Sequence, residues 1–436
     1  MLDVLFHHAT VVTVDPAFSI HQDGLVGVSE GKIARVGPAD PRRGLPPAAE
    51  TVDAGGGLIL PGLVNTHTHL PMALFRGLAD DLPLERWLNE HIFPAEARHV
   101  EPETVRLAAT LSAAELLLAG TTTCCDGYFL ETHTAEAVSA VGLRAVLGQG
   151  IIDFPAPGVP DPARNVAHAA AFVERWQHAD SRIRPSIFCH SPYTCSADTL
   201  AAAKKAARRH GVLFQIHVAE TRAETEQVRA EHGLSPVAFL DRLGILDADT
   251  LVVHGVWLDP ADIDTLAARG CPVSHNPQSN MKLASGIAPV PEMLAAGVCV
   301  GLGTDGCASN NDLDLFAEMD TAAKLHKVHT LDPTVLAAEQ VLKMATVDGA
   351  RAVGIGTEVG SLAVGKAADI VVVDTAVPHL SPMYRPASHL VYAAKGGDVK
   401  DVMVGGRFVV RDRTLLTVDV EELMDRVGER CRNIGR

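Results

Sequence analysis

The chain of 436 residues lacks several features that mark large classes of protein. Aromatic residues make up only 4% of it, and its eight cysteines form no Cys-x-x-Cys pair. Scattered thiols within apolar segments are typical of a reducing compartment and argue against a disulfide scaffold. No apolar run approaches the roughly 18 residues that a membrane-spanning helix needs.

Excess basic charge and an export signal are also missing. The net charge is -16 with histidine neutral, and such a surface repels polyanions, so we expect no nucleic-acid partner. The N-terminal segment MLDVLFHHATVVTVDP has neither the basic start nor the apolar core of a signal peptide. We therefore expect a cytoplasmic protein with no membrane partner, and the acidic surface leaves room for a small neutral or zwitterionic substrate.

The middle of the chain alternates apolar strand-like segments with Ala-rich amphipathic helical segments. Eight strands are predicted in the segments LVNTHTH, GTTTCCDGY, LRAVLGQGI, RPSIFCHSP, VLFQIHVAE, TLVVHGV, CPVSHNP and VCVGLGTDG. Eight strand–helix units predict a (β/α)8 barrel of the TIM type. A doubly wound sheet is the alternative, but it would collect functional residues at one switch point only.

Both ends of the chain contain short strand-like segments separated by Gly and Pro turns. At the C-terminal end they include HLVYAAKGGDVKDVMVGGRFVVRD. Because the two ends of a barrel lie close together, we predict that residues 1–60 and 362–436 pair into one composite β-sandwich domain. Residues 61–361 are then the barrel.

Residues that bind metals stand at the ends of four of the predicted strands. These are His67 and His69 on the first strand, His217 and Glu220 on the fifth, His254 on the sixth and Asp305 on the eighth. Barrel enzymes place their chemistry at the carboxyl ends of the strands, so these side chains should meet at one mouth. The i, i+2 spacing of His67 and His69 puts both on one face of their strand.

This set of residue types predicts a metal site. His67, His69 and His217, together with Asp305, offer the nitrogen and oxygen donors of a zinc site that keeps room for water. Fe²⁺ and Mn²⁺ are alternatives, because sites of this donor type also bind them. A hydrogen-bonded core histidine is the ordinary alternative at any single position. Four strand ends together favour one divalent ion.

Three other positions have roles that the pattern leaves open. Glu220 can move a proton between an activated water and a substrate nitrogen, or it can be a solvated residue in the charged run ETRAETE, which we expect to be exposed. His254 can bind the metal or hydrogen-bond the attacking water. His190, at the end of the fourth strand, is predicted to hydrogen-bond the substrate.

Several segments resemble one known superfamily. They are PGLVNTHTHLPM, HVAET, VVHGV, SHNPQSNMKLASGIAPV, LGTDGCASNNDLDLF and VGSLAVGKAADIVVVD, and they resemble the deaminase and chlorohydrolase branch of the amidohydrolases. The segment LFRGLADDLPLERWLNEHIFPAE is similar to its counterpart in 5'-methylthioadenosine/S-adenosylhomocysteine deaminases. The resemblance implies a barrel with a small β-sandwich, one divalent metal ion and no lysine bridging two metals. It also implies hydrolytic deamination of a 6-aminopurine nucleoside.

The resemblance also implies roles for residues around the metal. It implies that the metal ligands are His67, His69, His217 and Asp305. It makes Glu220 the proton shuttle that contacts the purine ring, and His254 the residue that orients the attacking hydroxide. Asp305 is further expected to help deliver a proton to the departing ammonia.

Substrate-binding residues follow from the same resemblance. Glu96 matches a ribose ligand, His190 a substrate-binding histidine, and Trp87 an aromatic side chain that covers the nucleoside. Gln149 stands where relatives that bind a substrate carboxylate carry arginine, and Arg164 is a candidate for a second basic position. Because an amide lacks the charge of a guanidinium group, methylthioadenosine and adenosine are favoured over S-adenosylhomocysteine.

Two other functions remain possible from the sequence. One is a deaminase or chlorohydrolase that acts on another heterocycle, such as a triazine or a guanine-like base, and Glu96 and Trp87 argue against it. The other is an inactive relative that serves as a binding protein, which the complete set of ligand positions disfavours. The sequence is compatible with a homo-oligomer and leaves the oligomeric state open.

Overall fold

The apolar segments of the sequence form strands in the computed structural model, which describes residues 1–42, 44–432 and 434. The strands before the barrel are β1 (Leu2–Val12), β2 (Ile20–Ser29), β3 (Lys32–Pro38), β4 (Ala48–Asp53) and β5 (Leu58–Pro61). The barrel strands are β6 (Leu63–Thr68), β7 (Thr121–Tyr128), β8 (Arg144–Ile151), β9 (Ile183–Cys189), β10 (Phe214–Val218), β11 (Thr250–His254), β12 (Val273–His275) and β13 (Val300–Leu302). The last strands are β14 (Ile370–Val373), β15 (Val399–Val404), β16 (Arg407–Arg411) and β17 (Thr414–Leu415).

Helices follow most of the barrel strands. They are α1 (Leu84–Arg86), α2 (Phe93–His99), α3 (Pro102–Leu118), α4 (Glu131–Val141), α5 (Asn165–Trp176), α6 (Ala197–His210), α7 (Arg222–His232), α8 (Pro236–Arg242), α9 (Pro260–Arg269), α10 (Pro277–Lys282), α11 (Val290–Ala295), α12 (Cys307–Asn310), α13 (Leu315–Thr330), α14 (Ala338–Met344), α15 (Val347–Ala352), α16 (Pro386–Tyr392) and α17 (Val420–Cys431). Short 3-10 turns cover Leu70–Phe75, Pro162–Arg164, Pro378–Leu380 and Gly396–Asp398, and one π turn covers Trp87–Ile92. In the described part of the chain, no helix combines the length and apolar character that crossing a membrane requires.

The eight predicted barrel strands are all confirmed. They run parallel in the order β6 to β13, and β13 lies against β6, so the sheet nearly closes. Every residue of β7 and β8 is buried, because side chains of one face fill the barrel and those of the other pack under helices. The carboxyl ends of all eight strands therefore open on one mouth.

Strands from both ends of the chain form a second sheet, which confirms the predicted fold class. Its nine strands follow the order β17-β16-β15-β14-β5-β1-β2-β3, with β4 paired to β1. The central pairing of β5 with β14 joins segments that are about 310 residues apart in sequence, from Leu58–Val373 to Pro61–Ile370. The boundaries near residues 60 and 362 stay a prediction.

One terminal segment differs from its prediction. The residues HLVY, expected to be strand-like, belong to helix α16. Pro386 starts this helix at its first position, where proline costs no hydrogen bond. Ala387, Leu390 and Val391 are buried at helical spacing beside α13 and α14. Packing against these helices therefore decides the structure of a short apolar run that has no clear periodicity.

A buried ion pair joins the barrel to the terminal sheet. The guanidinium of Arg144, at the start of β8, donates to both carboxylate oxygens of Asp369 at 2.9 and 3.0 Å. Asp369 also accepts from the backbone N–H of Gly405 at 2.7 Å. Their side chains are 8% and 2% exposed, so water cannot replace either partner.

Loss of one partner of this pair should destabilise the fold. We expect Asp369→Ala to lower the free energy of unfolding by about 3 kcal/mol, because it leaves the Arg144 charge buried and unpaired. Glu358→Ala is the control, since the Arg184–Glu358 pair is 46% and 37% exposed and should contribute less than about 1 kcal/mol. Chemical denaturation measures both, and equal midpoints for the two variants would contradict this account.

Candidate metal centre and substrate cavity

Four side chains from three regions of the barrel mouth converge on one point. His67 and His69 extend from the end of β6, His217 lies in β10, and Asp305 follows β13. The Nε2 atoms of His67 and His217 are 3.2 Å apart. Oδ1 of Asp305 lies 3.3 Å from the Nε2 atoms of both His67 and His69. The structure therefore brings together the four residues predicted as ligands.

Electrostatics at this point favour a bound cation. Burial lowers the pKa of His67 to about 3 and the pKa of His217 well below its ordinary value, so both rings are neutral. Burial alone would raise the pKa of Asp305, but its hydrogen bond with His67 and the nearby histidines hold that pKa well below its usual range. Neutral imidazole nitrogens and a carboxylate at these distances are the donor set of a divalent transition metal.

Hydrogen bonds around the cluster orient its donor atoms. Nδ1 of His69 lies 2.6 Å from the carbonyl oxygen of Gly127 and donates to it, which leaves Nε2 with a free lone pair. Oδ2 of Asp305 accepts from the hydroxyls of Ser279 and Ser309 at 2.7 and 2.8 Å, which leaves Oδ1 for the cluster. Partners of this kind fix the ring tautomer and the orientation of ligands in metal sites. These residues therefore fit a metal ion.

The backbone is strained where three strands end at the mouth. Ala219, His254 and Asp305 have φ angles of 53°, 72° and 63°. Residues other than glycine seldom adopt this left-handed region, and such strain is common at functional sites. Each of these residues follows or ends a barrel strand, so the turn redirects the chain toward the mouth.

Glu220 and His254 lie beside the metal cluster. Oε2 of Glu220 is 3.7 Å from Nε2 of His254. Burial, together with the charge of Asp305, raises the pKa of Glu220 to about 8. Nδ1 of His254 lies 2.9 Å from Oδ1 of Asn280, and burial lowers the pKa of this histidine. A neutral histidine and a carboxyl that titrates near neutrality thus face the same space.

A cavity extends from the cluster toward the surface. Its inner end is formed by His69, His217, Glu220, His254 and Asp305. Its walls are largely apolar and include Met72, Leu84, Trp87, Leu88, Phe93, Phe129, Ile151, Phe188, Tyr193 and Leu283. Among the described residues that line it, none is lysine or arginine. Apolar walls with a few convergent polar groups suit a small organic molecule.

The cavity also contains the predicted substrate residues Glu96, His190 and Trp87. Oε1 of Glu96 accepts a hydrogen bond from the hydroxyl of Tyr128 at 2.5 Å. Burial raises the pKa of Glu96 to about 7. Nδ1 of His190 lies 2.9 Å from Oγ1 of Thr194, so its Nε2 remains available. These polar groups line the same cavity as the apolar side chains. The cavity therefore suits a ligand that has both polar and apolar surface.

Two predicted substrate residues lie elsewhere. The side chain of Gln149 accepts from the N–H of Glu131 and donates to the carbonyl of Gly150, and it lines a separate groove with His133. Arg164 is exposed at the end of a 3-10 turn. Neither residue lines the cavity, so the structure does not bring them together with the other site residues.

Two side chains near the site were not predicted from the sequence, the carboxyl of Glu224 and the phenol of Tyr128. Glu224, within the run expected to be exposed, is only 5% exposed and accepts from the N–H groups of Ala219 and Glu220. Its position three residues after Thr221 is the spacing of a capping box, a signal that could have indicated it. Tyr128 offered no such signal, because its contact with Glu96 joins residues distant in sequence.

Comparison with known proteins agrees with this geometry. The model of the amidohydrolase family matches residues 58–409. The chain belongs to the amidohydrolase family, and the resemblance read from its motifs is confirmed. A 5-methylthioadenosine/S-adenosylhomocysteine deaminase from Syntrophobacter fumaroxidans is 50% identical over 99% of this chain and 98% of its own.

Two further proteins are similar over nearly the whole chain. A 5'-deoxyadenosine deaminase from Methanosarcina acetivorans is 46% identical, over 98% of this chain and 96% of its own. Among solved structures, a zinc-bound adenosine deaminase from Xanthomonas campestris superposes with a TM-score of 0.97 at 39% identity. That match covers 99% of this chain and 98% of the other.

Removal of one cluster histidine should abolish metal binding. We expect His67→Ala to retain less than a tenth of an ion per chain, because the remaining donors cannot complete the site. His190→Gln is the matched control, since His190 is a half-buried histidine next to a strand end that lies outside the cluster, and it should keep one ion. Elemental analysis of dialysed protein measures this, and a full ion in His67→Ala would refute the assignment.

Proposed function

We propose that the protein is a metal-dependent hydrolase that deaminates 6-aminopurine nucleosides to the corresponding inosine derivatives and ammonia. The observation that carries this proposal is one cavity that combines a cluster of metal donors, the Glu220 carboxyl and the Glu96–Tyr128 pair. The names of the three relatives described above, which are deaminases of adenine nucleosides, support it. The eight cysteines, all free thiols, support a cytoplasmic location.

We propose His67, His69, His217 and Asp305 as the ligands of one divalent ion. The zinc in the Xanthomonas campestris enzyme favours zinc here, with Fe²⁺ and Mn²⁺ as alternatives for the same donors. A divalent ion held there supplies a Lewis acid that lowers the pKa of a water molecule toward neutrality.

Glu220 is the group that moves protons in this proposal. A carboxyl with a pKa near neutrality can both accept and donate a proton during one turnover. Glu220 takes a proton from the attacking water and passes it to N1 of the purine, which makes C6 more open to attack. His254, 3.7 Å from Glu220, hydrogen-bonds the incoming oxygen. Asp305 assists transfer of the proton of the hydroxyl added at C6 to the amino group, which leaves as ammonia.

The other end of the cavity holds the sugar. Glu96 can accept hydrogen bonds from ribose hydroxyls, and the Tyr128 hydroxyl fixes one of its oxygens. His190 offers a further polar contact, and Trp87, 5% exposed, provides apolar surface for the nucleoside. A free heterocycle such as a triazine would leave the second oxygen of the buried Glu96 carboxyl without a partner, which is costly. Glu96 therefore favours a nucleoside.

The cavity walls bear on the 5' group of the nucleoside. A homocysteine group carries a carboxylate, which in a buried site needs a cationic or multiple-donor partner. No described lining residue is lysine or arginine, and Gln149 and Arg164 lie outside the cavity. We therefore infer that an uncharged 5' group, such as a methylthio or deoxy group, is preferred.

Substitution of Glu220 tests the chemical role. We expect Glu220→Gln to keep one metal ion and to lose at least about 100-fold in kcat, because the amide cannot transfer the proton. Ammonia release from 5'-methylthioadenosine measures the rate. Glu226→Gln is the control, because Glu226 lies on α7 and is 64% exposed; it should keep full activity. A near-normal rate in Glu220→Gln would remove Glu220 from the mechanism.

The preference for the 5' group can be measured directly. We expect kcat/KM for 5'-methylthioadenosine to exceed that for S-adenosylhomocysteine by about tenfold or more, because the cost of burying an unpaired carboxylate amounts to at least about 1.4 kcal/mol. Competition between the two substrates in one reaction gives this ratio. Equal values would show that a cationic side chain reaches the substrate carboxylate.

A further inference from the structure

We infer that Glu224 is a positioning residue, which holds the turn that aims Glu220 into the cavity. This inference deepens the proposed function, since it rests on the role of Glu220 as the proton shuttle. Glu224 itself contacts neither the metal cluster nor the space for the substrate. It acts through the backbone of the two residues that precede helix α7 by two and three positions.

Both oxygens of Glu224 are engaged by this turn. Oε1 accepts from the backbone N–H of Ala219 at 2.9 Å, and Oε2 accepts from the N–H of Glu220 at 2.7 Å. Burial raises the pKa of Glu224 to about 7, while the two N–H groups favour its ionised form, and hydrogen bonds to an ionised carboxylate are about twice as strong as neutral ones. Because Glu224 is 5% exposed, water does not compete for them. The carboxylate thus clamps two successive peptide units.

The turn is held from its other side as well. The carbonyl oxygen of Ala219 accepts from the N–H groups of Val256 and Trp257 at 3.0 and 2.9 Å. These residues follow β11, the strand that carries His254. Ala219 has a φ of 53°, a conformation that an alanine adopts at a cost of about 1–2 kcal/mol. The surrounding hydrogen bonds must therefore impose it, as they do at other strained functional turns.

A carboxylate is the group that this position requires. It has two acceptor oxygens and no donor, so it can accept from both N–H groups at once. An amide of the same shape would direct its NH2 group against one of those N–H donors. Glu224 also lies in the first turn of α7, where its own N–H donates to Thr221 at 3.2 Å. The helix dipole favours a negative charge there.

The arrangement resembles a capping box in which the glutamate reaches further back along the chain than usual. In an ordinary capping box the glutamate returns to the N–H of the cap residue, here Thr221. Glu224 instead reaches the two residues before the cap. The Glu224 carboxylate thus holds the turn that carries Glu220, while the Thr221 hydroxyl caps the helix. Because Glu220 must stay within reach of His254 and the substrate, a shift of about 1 Å in this turn can cost about 100-fold in rate.

Glu224→Gln tests this role in the metal-loaded enzyme. We expect kcat for 5'-methylthioadenosine to fall about 10- to 100-fold, with KM within threefold and metal content unchanged. Thr221→Ala is the matched control, because it removes the helix cap and leaves the carboxylate in place. It should lower the melting temperature and keep kcat within threefold. If Glu224→Gln does not fold, Glu224→Asp, whose shorter side chain cannot reach both N–H groups, takes its place.

Each result decides the question. A kcat in Glu224→Gln within threefold of wild type would overturn the inference, and so would an equal loss of rate in Thr221→Ala or a loss of rate explained by lost metal. A crystal structure of the variant gives a readout that does not depend on activity, and we expect the Glu220 carboxyl to leave its position beside His254. If wild-type protein deaminates no nucleoside, the proposed function fails, while a displaced Glu220 in the variant still supports the positioning role.

Discussion

The close approach of neutral imidazole nitrogens and one carboxylate is the constraint on which the rest of the site depends. His67 and His217 place their Nε2 atoms 3.2 Å apart, and Asp305 lies 3.3 Å from two of the rings. Burial keeps the histidine rings neutral by lowering their pKa values. Such an array is unfavourable unless a cation balances it. The rigid barrel holds these donor atoms together. A bound metal ion would offset the cost of the array.

The same constraint accounts for the contacts around the cluster. The carbonyl of Gly127 and the hydroxyls of Ser279 and Ser309 direct donor atoms inward. Strained turns at the strand ends then bring Glu220 and His254 beside the same point. The polar groups are thus concentrated at one end of a cavity with apolar walls.

Much of this could be predicted from the sequence, because strand ends of a barrel converge whatever the intervening helices do. His67 and His69 at i, i+2, and Asp305 after an apolar run, indicated the site directly. Glu224 could not be found in the same way, because its burial depends on how α7 returns to the barrel. The sequence also could not show that the N–H of Glu131, at the start of α4, holds the side chain of Gln149. The segment that forms α16 was expected to be a strand, but packing against α13 and α14 makes it a helix.

The central claim is that the buried donor cluster makes this chain a metal-dependent nucleoside deaminase. The most direct measurement is the rate of ammonia release from 5'-methylthioadenosine by protein stripped of metal with a chelator and then titrated with zinc. This account predicts no turnover in the stripped protein and a rate that rises linearly to a plateau at one ion per chain. Full activity in metal-free protein, or none at any metal content, would contradict it.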